Sequence, residues 1–247
     1  MRQWFRIVSF TGSERVGRIV GQAVMSRFGK TILELGGNNG VFDLILMMNL
    51  IDMVILASIV MPDANMSLAI PAVGFGAIGT AGQRCTSTRR LYLHRSAASE
   101  FLERLQKFYQ SVKPGDPLDQ KTLLGPLHTR AACEIYSNTI KYLKKVGSEI
   151  LVGGKQFDHV PFDVGNFVEP TISVFKSIDV SDSIWTTEVF APILNVGIFD
   201  ELDQAIKWNN AVPQVSSIPA CYYQYHLWKR VYRAVCGPVT LGMWANG

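Results

Sequence analysis

Between Lys30 and Arg84 the chain has no lysine or arginine, and after Asp203 it has no aspartate or glutamate. The basic residues elsewhere are scattered or paired, as in Arg89-Arg90 and Lys144-Lys145, and 24 basic against 20 acidic residues leave a net charge of only +4. Without a long basic stripe, no nucleic-acid partner is expected. Cysteine is scarce too: Cys85, Cys133, Cys221 and Cys236 lie far apart. That spacing matches neither a CxxC-type metal site nor a small disulfide scaffold, so no metal and a reducing compartment are expected. Repeats and low-complexity segments are absent. With 48% apolar and 18% charged residues in 247, disorder is excluded and a sizeable core is affordable in length. The amino terminus, Met1-Arg-Gln-Trp-Phe-Arg-Ile-Val-Ser-Phe10, is too short and interrupted in its apolar stretch for a signal peptide. It reads as the inside of a fold.

Mean hydropathy is +0.15, high for a soluble enzyme but far below a polytopic membrane protein. The excess is local. Residues 44–61 form an apolar run of about the length a spanning helix needs. Asn49 and Asp52 fall near its centre, where an acid costs roughly 2.5–3.5 kcal/mol, and no basic residue flanks it, so no membrane association is expected. The acid-free tail carries Tyr222, Tyr223, Tyr225, Trp228, Tyr232 and Trp244.

Elsewhere strands and helices alternate. Residues 5–10 read as a short buried strand, followed by the capping-box match Thr11-Gly-Ser-Glu14 and a helix carrying Val16, Ile19, Val20, Ala23 and Val24, closed by Gly29. A strand over 31–35 ends in Gly36-Gly37. A helix is expected from Asp63 or Asn65 to about Gly79, with Pro71 near its first turns. Then come a strand at 91–93, amphipathic helices at 98–112 and 131–146, strands at 149–152, 166–174 and 193–199, and a helix at 201–209. Such alternation means a layered α/β fold.

Cys85 lies in Gly79-Thr-Ala-Gly-Gln-Arg-Cys85, directly after Arg84; a neighbouring cation favours the nucleophilic thiolate. Taken alone, a lone cysteine reads as a small buried hydrophobe. Glu34 sits in an apolar strand ending in glycines, where apolar surroundings make a carboxylate a usable base. Taken alone it reads more often as an edge-strand acid facing water. Phe10-Thr-Gly-Ser13 at a helix start offers a phosphate seat, with Gly12 and Ser13 at the turn. Glu188 and Phe190, two apart in Glu188-Val-Phe-Ala-Pro192, face one way if extended. A rival constellation is a cysteine hydrolase pairing Cys85 with His94 or His128.

In this order, Phe10-Thr-Gly-Ser13, Glu34-Leu-Gly-Gly37, Gly82-Gln-Arg-Cys85 and Glu188-Val-Phe-Ala-Pro192 resemble the signature of the NAD(P)-dependent aldehyde dehydrogenase superfamily. With Gly125-Pro-Leu-His-Thr129 and Phe167-Val-Glu-Pro-Thr171, they further resemble its antiquitin branch, the α-aminoadipic semialdehyde dehydrogenases of lysine breakdown. The resemblance covers about residues 7–39 and 59–218. It implies a three-layer α/β/α catalytic domain, here partial, with a remnant of a Rossmann-like cofactor domain. It also implies NAD as cofactor and a small-molecule aldehyde as substrate. Carried over by motif, Cys85 is the nucleophile and Glu34 activates the hydrolytic water. Gly12 and Ser13 touch the pyrophosphate, Glu188 holds the nicotinamide ribose, Phe190 lines that site, and Arg84 binds the polar end of the substrate. The family's compartment is cytoplasmic or mitochondrial.

The family's chain is about twice as long. Its front half, with a second oxyanion donor and an adenine-ribose lysine, has no counterpart here, and neither has its oligomerisation strand, although the family is homo-oligomeric. The expected division is 1–37 cofactor-domain remnant, 38–218 partial catalytic domain with an insertion at about 40–58, and 219–247 divergent tail. Two functions follow: oxidation of an α-aminoadipic-semialdehyde-type aldehyde through a cysteine thioester, or an inactive fragment that only associates with a full-length relative.

Overall fold

A computed structural model describes residues 5–36, 57–157 and 165–211. The chain divides into two compact units, Met1–Gly37 and Asn38–Gly247.

In the first unit, strand β1 (Ile7–Gly12), helix α1 (Glu14–Met25) and strand β2 (Lys30–Leu35) form a βαβ unit, with the strands parallel and Thr11 paired to Glu34. β1 runs through Gly12, so Ser13 rather than Thr11 caps α1, its hydroxyl accepting from the Val16 N–H at 3.4 Å. The helix buries Gly17, Val20 and Val24, and a Cβ at Gly17 would collide with Leu35. Its end differs from expectation. Phe28 rather than Gly29 takes the left-handed conformation, with φ 57°, while the Gly29 N–H closes on the Val24 carbonyl at 3.0 Å. The two strands are not buried on both faces either: Ile7 of β1 and Ile32 of β2 are more than half exposed. One helix covers one face of a two-stranded sheet, and alternation puts Ile7, Ser9, Thr11, Lys30, Ile32 and Glu34 on the other.

The second unit is built on a five-stranded sheet with order β3-β4-β7-β6-β5. Its strands are β3 (Ala57–Val60), β4 (Arg90–His94), β5 (Glu149–Val152), β6 (Thr171–Phe175) and β7 (Ile193–Phe199). All pairs are parallel except β5 with β6. β6 begins at Thr171 because Pro170 has no N–H to give the ladder. Helix α2 (Met66–Ile78) starts under an Asn65 cap, its Oδ1 accepting from the Ser67 N–H at 3.0 Å, and Pro71 lies inside the helix, in its second turn. Helix α3 (Arg95–Ser111) begins earlier than periodicity suggests because His94 Nδ1 caps it. Helix α4 (Arg130–Lys145) is capped by Thr129. The short α5 (Ser183–Thr186) and α6 (Leu202–Asn210) follow.

Tyr92 projects from one face of β4 to stack on Trp185 of α5 and pack on Trp208 of α6, at ring separations of 6.3 and 5.8 Å. Its neighbours Leu91 and Leu93 point the other way, to the side left for α2 and α3, and are fully buried. The result is a sheet between helical layers, as expected. Small residues on α2 bring layers close: a Cβ at Gly74 would strike the Phe108 ring of α3, and one at Gly76 would strike Thr88.

Of the apolar run at 44–61, only its end is described; Ala57–Val60 is strand β3, with Ile59 and Val60 in the core. The rest of the run, and the tail at 219–247, lie outside the described residues. Among the described residues, no helix is long and apolar enough to cross a membrane.

Phe101 on α3 is fully buried and Ile135 on α4 is more than half exposed. Phe101→Ala is therefore expected to cost about 3–5 kcal/mol of stability, and Ile135→Ala no more than about 0.5 kcal/mol, measured as shifts in the urea midpoint at unchanged slope.

Candidate active site

Helix α2 does not run smoothly into β4. After Ile78 the backbone enters a tight 3-10 turn, Gly79–Gly82, in which Thr80, Ala81 and Gly82 all adopt positive φ, at 56°, 52° and 69°. Left-handed backbone is costly for residues with a Cβ, so Thr80 and Ala81 store strain that the surroundings must hold. At Gly82 a side chain is impossible for a second reason: its Cβ would collide with the Ala191 carbonyl oxygen. The turn thus lies directly against the segment that leads into β7.

The chain then turns again. The Ser87 N–H donates to the Arg84 carbonyl at 3.2 Å, and the Arg84 N–H donates to Ser87 Oγ at 3.1 Å. Cys85 sits at the tip of that turn, exposed as a free thiol; the alternative of a small buried hydrophobe is excluded. Gln83 braces the turn from the other side. Its Nε2 donates to the Thr80 and Pro126 carbonyls, and its Oε1 accepts from the His128 N–H at 2.9 Å. Since Oε1 can only accept, His128 Nδ1, 2.8 Å away, carries the proton of that contact.

Arg84, the cation expected beside the thiol, turns its side chain back onto the preceding turn and α2. Its Nε donates to Thr80 Oγ1 at 2.7 Å and its guanidinium stacks over Phe75, 5.3 Å from the ring centre. The buried cation behind the turn is Arg89, 4% exposed. It donates through Nη2 to the Arg84 carbonyl at 2.7 Å, through Nη1 to the Ser87 carbonyl at 3.0 Å, and through Nε to the Val189 carbonyl at 3.3 Å. The same Nη2 lies 3.2 Å from Glu188 Oε1, and the guanidinium stacks on Phe190 at 5.3 Å. Burial, the largest cause, leaves the pKa of Arg89 below its ordinary value even though the neighbouring Glu188 carboxylate opposes the shift.

Glu188 and Phe190 are accordingly joined to the Cys85 turn through one side chain, and Phe190 keeps 36% of its surface exposed. This group stands at the amino-terminal edge of the parallel strands, where Asn195 N–H donates to the Arg89 carbonyl at 2.9 Å. His94 lies at the opposite, carboxyl end of β4 and caps α3, and His128 is engaged by Gln83; neither arrangement supports the hydrolase pairing. Among the described residues, no cluster of three or more histidine, cysteine, aspartate or glutamate side chains could hold a metal ion.

The first unit holds the remaining candidates. Gly12 ends β1, and Ser13 caps α1 with its side chain exposed, leaving an open helix amino terminus. Glu34 is the penultimate residue of β2 and is exposed, not enclosed by apolar neighbours. The correction follows from strand alternation: with Ile32 it lies on the face that α1 leaves bare.

Gly82 and Gln83 stand in the motif around Cys85 with no role assigned to them, and Arg89 stands out in the sequence only as one of a basic pair. The available signal for Arg89 is an arginine pair directly ahead of the apolar stretch Leu91-Tyr-Leu93.

The aldehyde dehydrogenase family model matches residues 2–217. The chain therefore belongs to the aldehyde dehydrogenase family. It is 42% identical to "Aldehyde dehydrogenase family 7 member A1" of Pisum sativum, covering 98% of this chain and 43% of that protein. It is also 42% identical over 208 residues to "Alpha-aminoadipic semialdehyde dehydrogenase" of Bos taurus, covering 84% of this chain and 34% of that one. A crystal structure of betaine aldehyde dehydrogenase from Staphylococcus aureus in complex with NAD+ superposes with a TM-score of 0.79 at 25% identity, over 95% of this chain and 43% of that one. The chain spans less than half the length of these relatives.

Two outcomes are expected here. Cys133 is buried and its thiol is pushed up in pKa by that burial, so iodoacetamide at neutral pH should label Cys85 well ahead of Cys133, read by peptide mass spectrometry. Gly82→Ala should destabilise the turn by on the order of 1–3 kcal/mol and change the Cys85 labelling rate.

Proposed function

We propose that this chain carries the thiol chemistry of an NAD-dependent oxidation of an aldehyde of the α-aminoadipic semialdehyde type to its carboxylic acid. The observation that carries the reading is the exposed Cys85 turn tied through Arg89 to Glu188 and Phe190. Support comes from the relatives, whose names include α-aminoadipic semialdehyde dehydrogenase.

Each unit, taken by itself, offers groups that suit part of a dinucleotide. Gly12 and Ser13 stand at an exposed helix amino terminus, where N–H groups and the helix dipole favour a pyrophosphate. Glu188 offers a carboxylate for ribose hydroxyls and Phe190 a partly exposed ring face for the nicotinamide. When bound, the dinucleotide supplies the two-electron oxidant that turns a hemithioacetal on Cys85 into a thioester.

As the thiolate, its proton already given to solvent, Cys85 Sγ adds to the aldehyde carbon, and the carbonyl oxygen takes over the negative charge beside the Cys85 N–H. Arg84, exposed and propped on Thr80 and Phe75, presents N–H donors for a carboxylate at the far end of the substrate. In the role its motif implies, Glu34 would take a proton from water; the resulting hydroxide attacks the thioester carbon, and the thiolate of Cys85 leaves. Aldehyde, NAD+ and water become acid, NADH and a proton. A cytoplasmic or mitochondrial site and assembly into oligomers belong to the same reading.

A second reading has this length of chain inactive alone and associating with a longer relative. The bare sheet face of the first unit, with Ile7 and Ile32 more than half exposed, favours it. One assay separates the two: purified chain with NAD+ and the semialdehyde, followed by NADH absorbance beside Cys85→Ala. Turnover that disappears in Cys85→Ala is the expected result. No turnover alone, but binding to an added full-length relative, supports the second.

A further inference from the structure

The geometry points to Arg89 as a positioning residue that locks the Cys85 turn to the Glu188–Phe190 segment, so that nucleophile and cofactor-facing groups move as one body. The cofactor part of this inference rests on the proposed function; the mechanical part does not.

A guanidinium that is 4% exposed needs partners on every side, and Arg89 finds them on two segments a hundred residues apart. Its Nη1 and Nη2 bind the Ser87 and Arg84 carbonyls, which bracket Cys85. Its Nε binds the Val189 carbonyl, its charge pairs with Glu188, and its plane lies on Phe190. Only a planar fork can meet these directions together; an ammonium has one nitrogen and no plane to stack. The Gly82 contact with the Ala191 carbonyl holds the same two segments at a second point. A displacement of Glu188 or Phe190 is thereby transmitted to the turn carrying the thiol.

The test compares the 247-residue chain with Arg89→Lys and Arg89→Gln, and with Arg95→Gln as a control, since Arg95 is exposed on Asp200. Hydrogen exchange is followed over residues 83–88 and 188–192, together with the iodoacetamide rate at Cys85, with and without NAD+. Without ligand, Arg89→Lys should speed exchange in both segments together by about tenfold or more, as the loss of charge-assisted hydrogen bonds predicts. α3 and β7 should stay protected, and Lys should not rescue Gln. In the unaltered chain NAD+ should change the Cys85 rate; in Arg89→Lys that response should be lost even at NAD+ concentrations that still shift exchange at 188–192. Should the Arg89 variants fail to fold, Glu188→Gln carries the test: it should loosen 83–88 as well as 188–192.

Loosening of one segment alone, uniform loosening of the whole unit, or full rescue by Lys overturns the inference. If ligand-free exchange is coupled but NAD+ alters nothing in the unaltered chain, the cofactor reading fails and the locking role of Arg89 stands. If NAD+ acts on the unaltered chain but the two segments loosen independently, the cofactor reading survives and the locking role falls.

Discussion

An arginine withdrawn from water is expensive: the desolvation of its charge costs several kcal/mol unless hydrogen bonds and an opposite charge replace the lost solvent. Arg89 meets that demand with three backbone carbonyls, one carboxylate and one aromatic face. Because those partners come from the turns entering β4 and β7, satisfying one side chain fixes both turns. The two strands are already neighbours in the sheet, with Arg90 opposite Asn195, so the clamp extends the order of the sheet one step beyond its edge.

That edge is an unusual place for the proposed chemistry in a parallel sheet, where ligands commonly lie beyond the carboxyl ends of strands. The reason is visible in the connection before β4. Helix α2 delivers the chain through three left-handed residues into the Cys85 turn, and the thiol is displayed before the strand begins. Strain in Thr80 and Ala81 is tolerable because Gln83, Arg84 and Arg89 hold the turn from three directions. A thiol on such a turn is rigid and yet exposed, the combination a nucleophile needs.

Much of this was readable from the chain. Alternating elements, the Asn65 cap and the strand at 193–199 follow from periodicity and capping chemistry, which act within a few residues. Local signals failed where neighbours distant in sequence decide. Ser13 displaces Thr11 as a cap because pairing with β2 extends β1 to Gly12. Glu34 lies in an apolar sequence but on a face that α1 does not cover. Arg89 resembled any paired surface base, and its burial depends on residues 188–190, which no local pattern links to it. The family motifs name Cys85, Glu188 and Phe190; the Arg89 contacts that join them are visible only in three dimensions.

The most direct measurement is peptide mass spectrometry of the chain quenched during incubation with α-aminoadipic semialdehyde and NAD+. An acyl group on the Cys85 peptide that forms only when NAD+ is present, and that persists longer in Glu34→Gln, is the expected result. An acyl group formed without NAD+, or attached to any residue other than Cys85, contradicts thioester chemistry at this site.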